Sequence, residues 1–197
     1  DPFSRVKRAN NVTNPSPSEE INDISDLLAR YGIVYEGAAV VGDAQLASIV
    51  SDGDQGRLTY PYWMRITASD LSADHATTAN LNEVLLVEPG AVRREGGARA
   101  LVTTTDNAGS ALRGDFDRLT PRDLSMSFAS QSKKRVLAAT VQGPLKSAFG
   151  SAPDFSTAAA HRPNAVGMPL VFAIADVDWL VDPFALQTTS LGQDPVV

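Results

Sequence analysis

Short apolar runs punctuate the chain, and Leu170 to Ala175 is unbroken, with no polar alternation and with Pro169 just in front. Such a run is the pattern of a strand covered on both faces, as in the middle of a parallel sheet with helices on each side. Further strands are predicted at Ile33 to Tyr35, Ala38 to Val41, Val84 to Val87, Ala100 to Thr104 and Arg135 to Gln142. Pro89-Gly90 and Gly143-Pro144 close two of them. Helical spacing governs Ile21, Ile24, Leu27, Leu28 and Tyr31, behind a Ser16-Pro17-Ser18-Glu19 start and before Gly32, so an amphipathic helix is expected to lie on the sheet. Ala44 to Val50 reads as a short helix, Thr67 to Asn82 as helical pieces capped by Ser69 and Thr77, and Thr120-Pro121 as another helix start.

With 197 residues, 43% of them apolar, the chain suits one domain with a substantial core. We place a single α/β domain over residues 1–190 and a tail at 191–197. The chain has no cysteine, which excludes disulfides, thiolate metal sites and cysteine nucleophiles. A net charge of −6 argues against nucleic acid as a partner, because that affinity is built from clustered Lys and Arg. No apolar run approaches the ~20 residues needed to cross a bilayer. Asp1-Pro2-Phe3 reads as the exit of a strand, and we expect the chain to be part of a longer protein whose sheet has an exposed edge inviting a homo-dimer.

Candidate chemistry gathers where the strands end. Asp176 and Asp178 follow the longest run directly, at the edge where open α/β sheets place their ligand crevices, and Asp43 and Asp106 follow two other predicted strands. With Asp182 and Asp1 these carboxylates are a conceivable Mg²⁺ or Ca²⁺ site, but the motif supplies too few ligands, and short acids after a strand ordinarily cap the next segment. No metal or cofactor is therefore expected. Trp63 and Trp179 are the candidate stacking surfaces, although Tyr60-Pro61-Tyr62-Trp63 reads first as a cluster pinning a loop to the body. A hydrolase needs a nucleophile on a strained elbow with a base beside it. Ala108-Gly109-Ser110-Ala111 does not fit that elbow, the histidines His75 and His161 sit in polar loop-like contexts, and no Walker A sequence is present. No catalytic residue is expected.

The ordered set DPF, LLARYGI, VVGD, YPYW, TANLNEVLL, LVTTTDNAG, VLAATVQGPLKSAF and FAIADVDWLVDPF resembles the extracytoplasmic domain of auxiliary ABC-transporter proteins of the gliding-motility, GldG-like group, from Asp1 to about Gln187. The usual glycine before the DxD pair is replaced by Ala175. That resemblance implies a Rossmann-like α/β fold, a three-layer sandwich similar to class I glutamine amidotransferases with a mostly parallel sheet. It also implies a periplasmic domain anchored to the inner membrane by segments absent from this sequence. Its expected role is non-catalytic binding or scaffolding beside an ABC permease and an ATPase. Two rivals stand beside it: a receptor for a small ligand such as a saccharide, bound near Asp43, Asp106, Asp176 and Asp178 with Trp63 or Trp179 as platform, and a degenerate hydrolase. A deep polar crevice favours the receptor, and a histidine within reach of a serine favours the hydrolase.

Overall fold

Every strand pairing in the computed structural model, which describes residues 24–152, 161–178, 187–188 and 195–196, is antiparallel. Helix α1 (Ser25–Arg30) precedes strands β1 (Ile33–Glu36), β2 (Ala39–Asp43), β3 (Ala47–Ser51), β4 (Arg57–Thr67), β5 (Glu83–Val87), β6 (Ala91–Arg94), β7 (Arg99–Thr103) and β8 (Ala108–Leu112). Helix α2 (Pro121–Met126), β9 (Val136–Gln142), β10 (Leu170–Ile174) and the two-residue strands β11 (Gln187–Thr188) and β12 (Pro195–Val196) follow. One sheet runs β1-β6-β9-β10, with β7 also paired to β9; a second runs β3-β4-β5; and β2 and β8 form a ribbon.

Local chemistry explains several of these elements. Asp52 to Gly56 turns the β3–β4 hairpin, and Gly56 adopts φ 93°, which an L side chain resists. Pro61 sits where the β3–β4 register jumps, from Tyr60 opposite Ser48 to Met64 opposite Ala47. The missing proline N–H therefore falls outside that ladder. Gly42 and Gly109 face each other across the β2–β8 ribbon, and a Cβ on Gly109 would run into the Ala129 carbonyl. Thr120 caps α2 with a reciprocal box: its hydroxyl accepts the Asp123 N–H, while the Asp123 carboxylate takes the Thr120 N–H.

Three apolar clusters fill the interior. The first joins Val41, Leu46, Met64, Ile66, Leu86, Leu101, Leu137 and Ala138; the second joins Val40, Tyr60, Tyr62, Phe116 and Leu124; the third joins Ile33, Val92, Ala98, Ala139, Val141 and Ala175. Burying each of Met64, Ile66 and Leu86 completely contributes about 1.5–3 kcal/mol. Strand β9 is the doubly covered one, because Leu137 to Val141 are all buried, with Leu137 and Ala138 in the first cluster and Ala139 and Val141 in the third.

The fold expectation is corrected accordingly. The chain is a mostly antiparallel β structure with two short α-helices among the described residues, not a Rossmann-like or amidotransferase-like parallel α/β sandwich. β10 is not central: its neighbour is β9, and Leu170 and Phe172 are 46% and 41% exposed. An unbroken apolar run is equally compatible with a wet edge: Val171 and Ala173 pack against the third cluster and Ile174 against the first, while Leu170 and Phe172 stay exposed. The helix expected over Ala44 to Val50 is instead β3 and its approach, with Ile49 and Val50 pairing to Thr59 and Leu58. Tyr60 to Trp63 lie inside β4 rather than in a loop. The predicted helix start at Ser16 lies outside the described residues, as do Asp1, Trp179 and Asp182.

Candidate functional site

Four buried residues, Val87 to Gly90, carry the chain from β5 of one sheet to β6 of another. A buried crossover needs partners for its backbone polar groups, and here they come from three directions. The Val87 N–H donates to Asp176 Oδ2 at 2.6 Å, and the Glu88 N–H donates to the Tyr62 carbonyl at 2.7 Å. Val41 of β2 donates its N–H to the Pro89 carbonyl at 2.7 Å, and the Gly90 N–H reaches the Ala175 carbonyl at 2.8 Å. This crossover thus ties β2, β4 and the end of β10 together.

Glu88 stands at its centre with a fully buried side chain and a left-handed backbone of φ 52°. The Tyr60 hydroxyl donates to its Oε1 at 2.8 Å. A non-glycine residue in that conformation persists only where its surroundings fix it, and here Pro89 and these bonds do so. Sequence reading passed over Glu88. The available signal was an acid lodged between an apolar run and a Pro-Gly turn, which reads as the end of a strand.

Asp43, at the end of β2, is fully buried and accepts four bonds. Oδ1 takes the N–H groups of Gln45 (2.8 Å) and Leu46 (3.3 Å), while Oδ2 takes the Thr105 N–H (2.7 Å) and hydroxyl (2.8 Å). Thr105 Oγ1 in turn accepts the Asn107 N–H, and Asn107 Nδ2 donates to Gln45 Oε1. Asp176 engages both oxygens as well, Oδ2 on Val87 and Oδ1 on the Asp178 N–H at 2.8 Å. Asp178 is fully buried. Asp176 is thus turned toward the crossover, and Asp43 toward the Gln45–Leu46 backbone and Thr105, each with its oxygens on donors within the fold. Asp106 does not join them: it is exposed in the turn between β7 and β8. Trp63 is half-buried against the second cluster, and Trp179 lies outside the described residues.

Next to the crossover, Tyr62 packs edge-on against Tyr60, Phe116 and Phe128, with ring centroids 5.6, 5.0 and 5.7 Å away. Burial, with a smaller contribution from the negative charge of Asp115, pushes its hydroxyl pKa up to about 12. No three His, Cys, Asp or Glu side chains among the described residues are placed to share a metal ion.

A histidine and a serine do meet elsewhere. His161 Nε2 lies 3.2 Å from Ser147 Oγ, which also accepts the Phe149 N–H at 3.1 Å. The contact follows from a short ladder in which the Ser147 N–H donates to the Pro163 carbonyl and the Ala165 N–H to the Leu145 carbonyl. Ser147 has no positive φ, so it does not ride a strained elbow of the nucleophile type.

A family model described as an ABC-type uncharacterized transport system matches residues 1–196. No curated protein and no solved structure matches the chain. No helix among the described residues is long and apolar enough to cross a membrane.

Proposed function

Since the chain belongs to the family of auxiliary components of ABC-type transport systems, we propose that it is a non-catalytic binding and scaffolding domain that works by contact with the permease and ATPase subunits. One observation carries this reading. The strand-end acids Asp43 and Asp176 have both oxygens engaged by donors within the fold, so what the molecule offers to others is its surface. The domain sits on the extracytoplasmic side of the membrane in this reading, and gliding motility is the narrower form of the same role. Affinity purification of the full-length protein from detergent-solubilised membranes tests it. Permease and ATPase subunits should be recovered in comparable amounts; recovery of the protein without them, under conditions that keep permease and ATPase together, contradicts it.

A second reading, a degenerate hydrolase, has the Ser147–His161 contact in its favour. No carboxylate among the described residues hydrogen-bonds to His161, so the orienting member of a triad is not supplied there. A fluorophosphonate probe tests whether Ser147 is an activated nucleophile: covalent labelling that Ser147→Ala abolishes supports a hydrolase over the scaffold, and absence of labelling removes the observation in the hydrolase's favour.

A further inference from the structure

The edges of the sheets are not treated alike. An unpaired strand edge is a template for another chain, and proteins ordinarily blunt it with charge, proline, a bulge or a covering element. β1 carries Glu36, which meets Arg93 and Arg135, and Leu28 and Tyr31 at the α1 end pack into the same cluster as its Ile33. β3 is bulged between Ala47 and Ser48, and β5 begins with Glu83, bonded to Arg65. Among the described residues, β10 has none of these devices. Its five residues, Leu-Val-Phe-Ala-Ile, carry no charge, and they pair with β9 without a register shift.

The backbone groups on its free side can be assigned. Ala175 donates its N–H to the Leu137 carbonyl, and the Pro169 carbonyl accepts from Gly143, so the Pro169 carbonyl, the polar groups of Val171 and Ala173, and the Ala175 N–H are directed toward β9. By antiparallel alternation those of Leu170, Phe172 and Ile174 point outward. The side chains of Leu170 and Phe172 are 46% and 41% exposed, and Met168 and Val166, just before the strand, are 65% and 78% exposed.

We infer that β10 pairs with β10 of a second copy of this chain, antiparallel about a two-fold axis at Phe172. In that register Phe172 faces its own counterpart and Leu170 faces Ile174, so apolar side chains meet at every outward position and each of the three residues donates and accepts one main-chain bond. The strand supplies its own complement, whereas a foreign strand would have to match it. Three main-chain pairs with their side chains make a small contact beside the ~800 Å² per partner of a stable interface. Association is accordingly concentration-dependent, and it strengthens with salt because each copy carries a net charge of −6. This inference does not rest on the transport role, and its failure would leave that role intact.

The absence of cysteine makes the register directly testable. Directly opposite residues in the hydrogen-bonded positions place their Cα atoms about 5.5 Å apart, within disulfide range. Phe172→Cys should therefore form a cross-linked dimer under mild oxidation at least about tenfold faster than Leu170→Cys, whose counterparts lie ~15 Å apart, or Ile49→Cys on exposed β3. Sedimentation equilibrium of the unaltered chain should show dimer rising with concentration and salt, and Phe172→Lys should abolish it while retaining the parent circular dichroism. A monomer at every concentration, as expected if a strand of a transporter subunit is the true occupant, overturns the proposal. So does a dimer in which the three cysteine variants cross-link at equal rates.

Discussion

Replacing Asp43 by alanine removes the acceptor for four donors in one step. The Thr105 N–H and hydroxyl and the Leu46 N–H are buried with it, and the Gln45 N–H is partly so. A buried donor left without an acceptor costs about 1–3 kcal/mol, and neighbours that relax together do not add fully, which gives about 3–5 kcal/mol for the substitution. In a chain of this size each kcal/mol moves the melting temperature by about 2–4 °C, so Asp43→Ala should melt about 10 °C below the parent. Asp43→Asn keeps one oxygen but turns an NH₂ group toward donors, and should lose about half as much. Thermal and urea unfolding followed by circular dichroism measure both, with exposed Asp106→Ala as the unchanged control. A residue held strained for ligand binding behaves oppositely, since removing it leaves stability unchanged or raises it. An Asp43→Ala melt within about 2 °C of the parent would refute the reasoning.

Tyr60→Phe deletes the donor to the buried Glu88 carboxyl and should destabilise by about 1–3 kcal/mol in the same assay. The Tyr62 hydroxyl is raised by burial to about 12, above its usual 10.0, so its contribution is intact below pH 10 and is lost as pH rises toward 12. Absorbance titration at the phenolate band should find one tyrosine that ionises only near there or with alkaline unfolding. The Asp123 carboxyl is held below its usual value by the Thr120 side-chain bond first and the Thr120 backbone bond second. Its contribution is present above the ordinary carboxylate range and lost as pH falls through the lowered value, and melting curves of Thr120→Ala should be less acid-sensitive than those of the parent.

Much of the local structure was legible. The strands at Val84 to Val87 and Arg135 to Gln142, and the Thr120-Pro121 helix start, follow from β-branched runs and capping chemistry, which act over a few residues. Strand direction was not legible, because side-chain patterning records burial rather than polarity of pairing. The same limit exchanged the places of β9 and β10: both are apolar runs, and what separates them is which one has neighbours on both sides. At the site, the aspartates after the strands stood out for their position, but where their oxygens point depends on contacts remote in sequence: for Asp176 the Val87 N–H of the crossover, and for Asp43 the N–H and hydroxyl of Thr105. Glu88 escaped notice because its left-handed backbone is imposed by tertiary packing.

Native-state hydrogen exchange, read residue by residue by NMR, tests most directly whether these buried acids and the crossover hold the sheets together. The amides of Val87 and Asp178 on Asp176, of Thr105 on Asp43, and of Val41 and Gly90 along the crossover should exchange with the slowest set, at the rate of global unfolding. Exchange of Val87 and Thr105 as fast as that of the exposed Asp106–Asn107 turn would contradict the account.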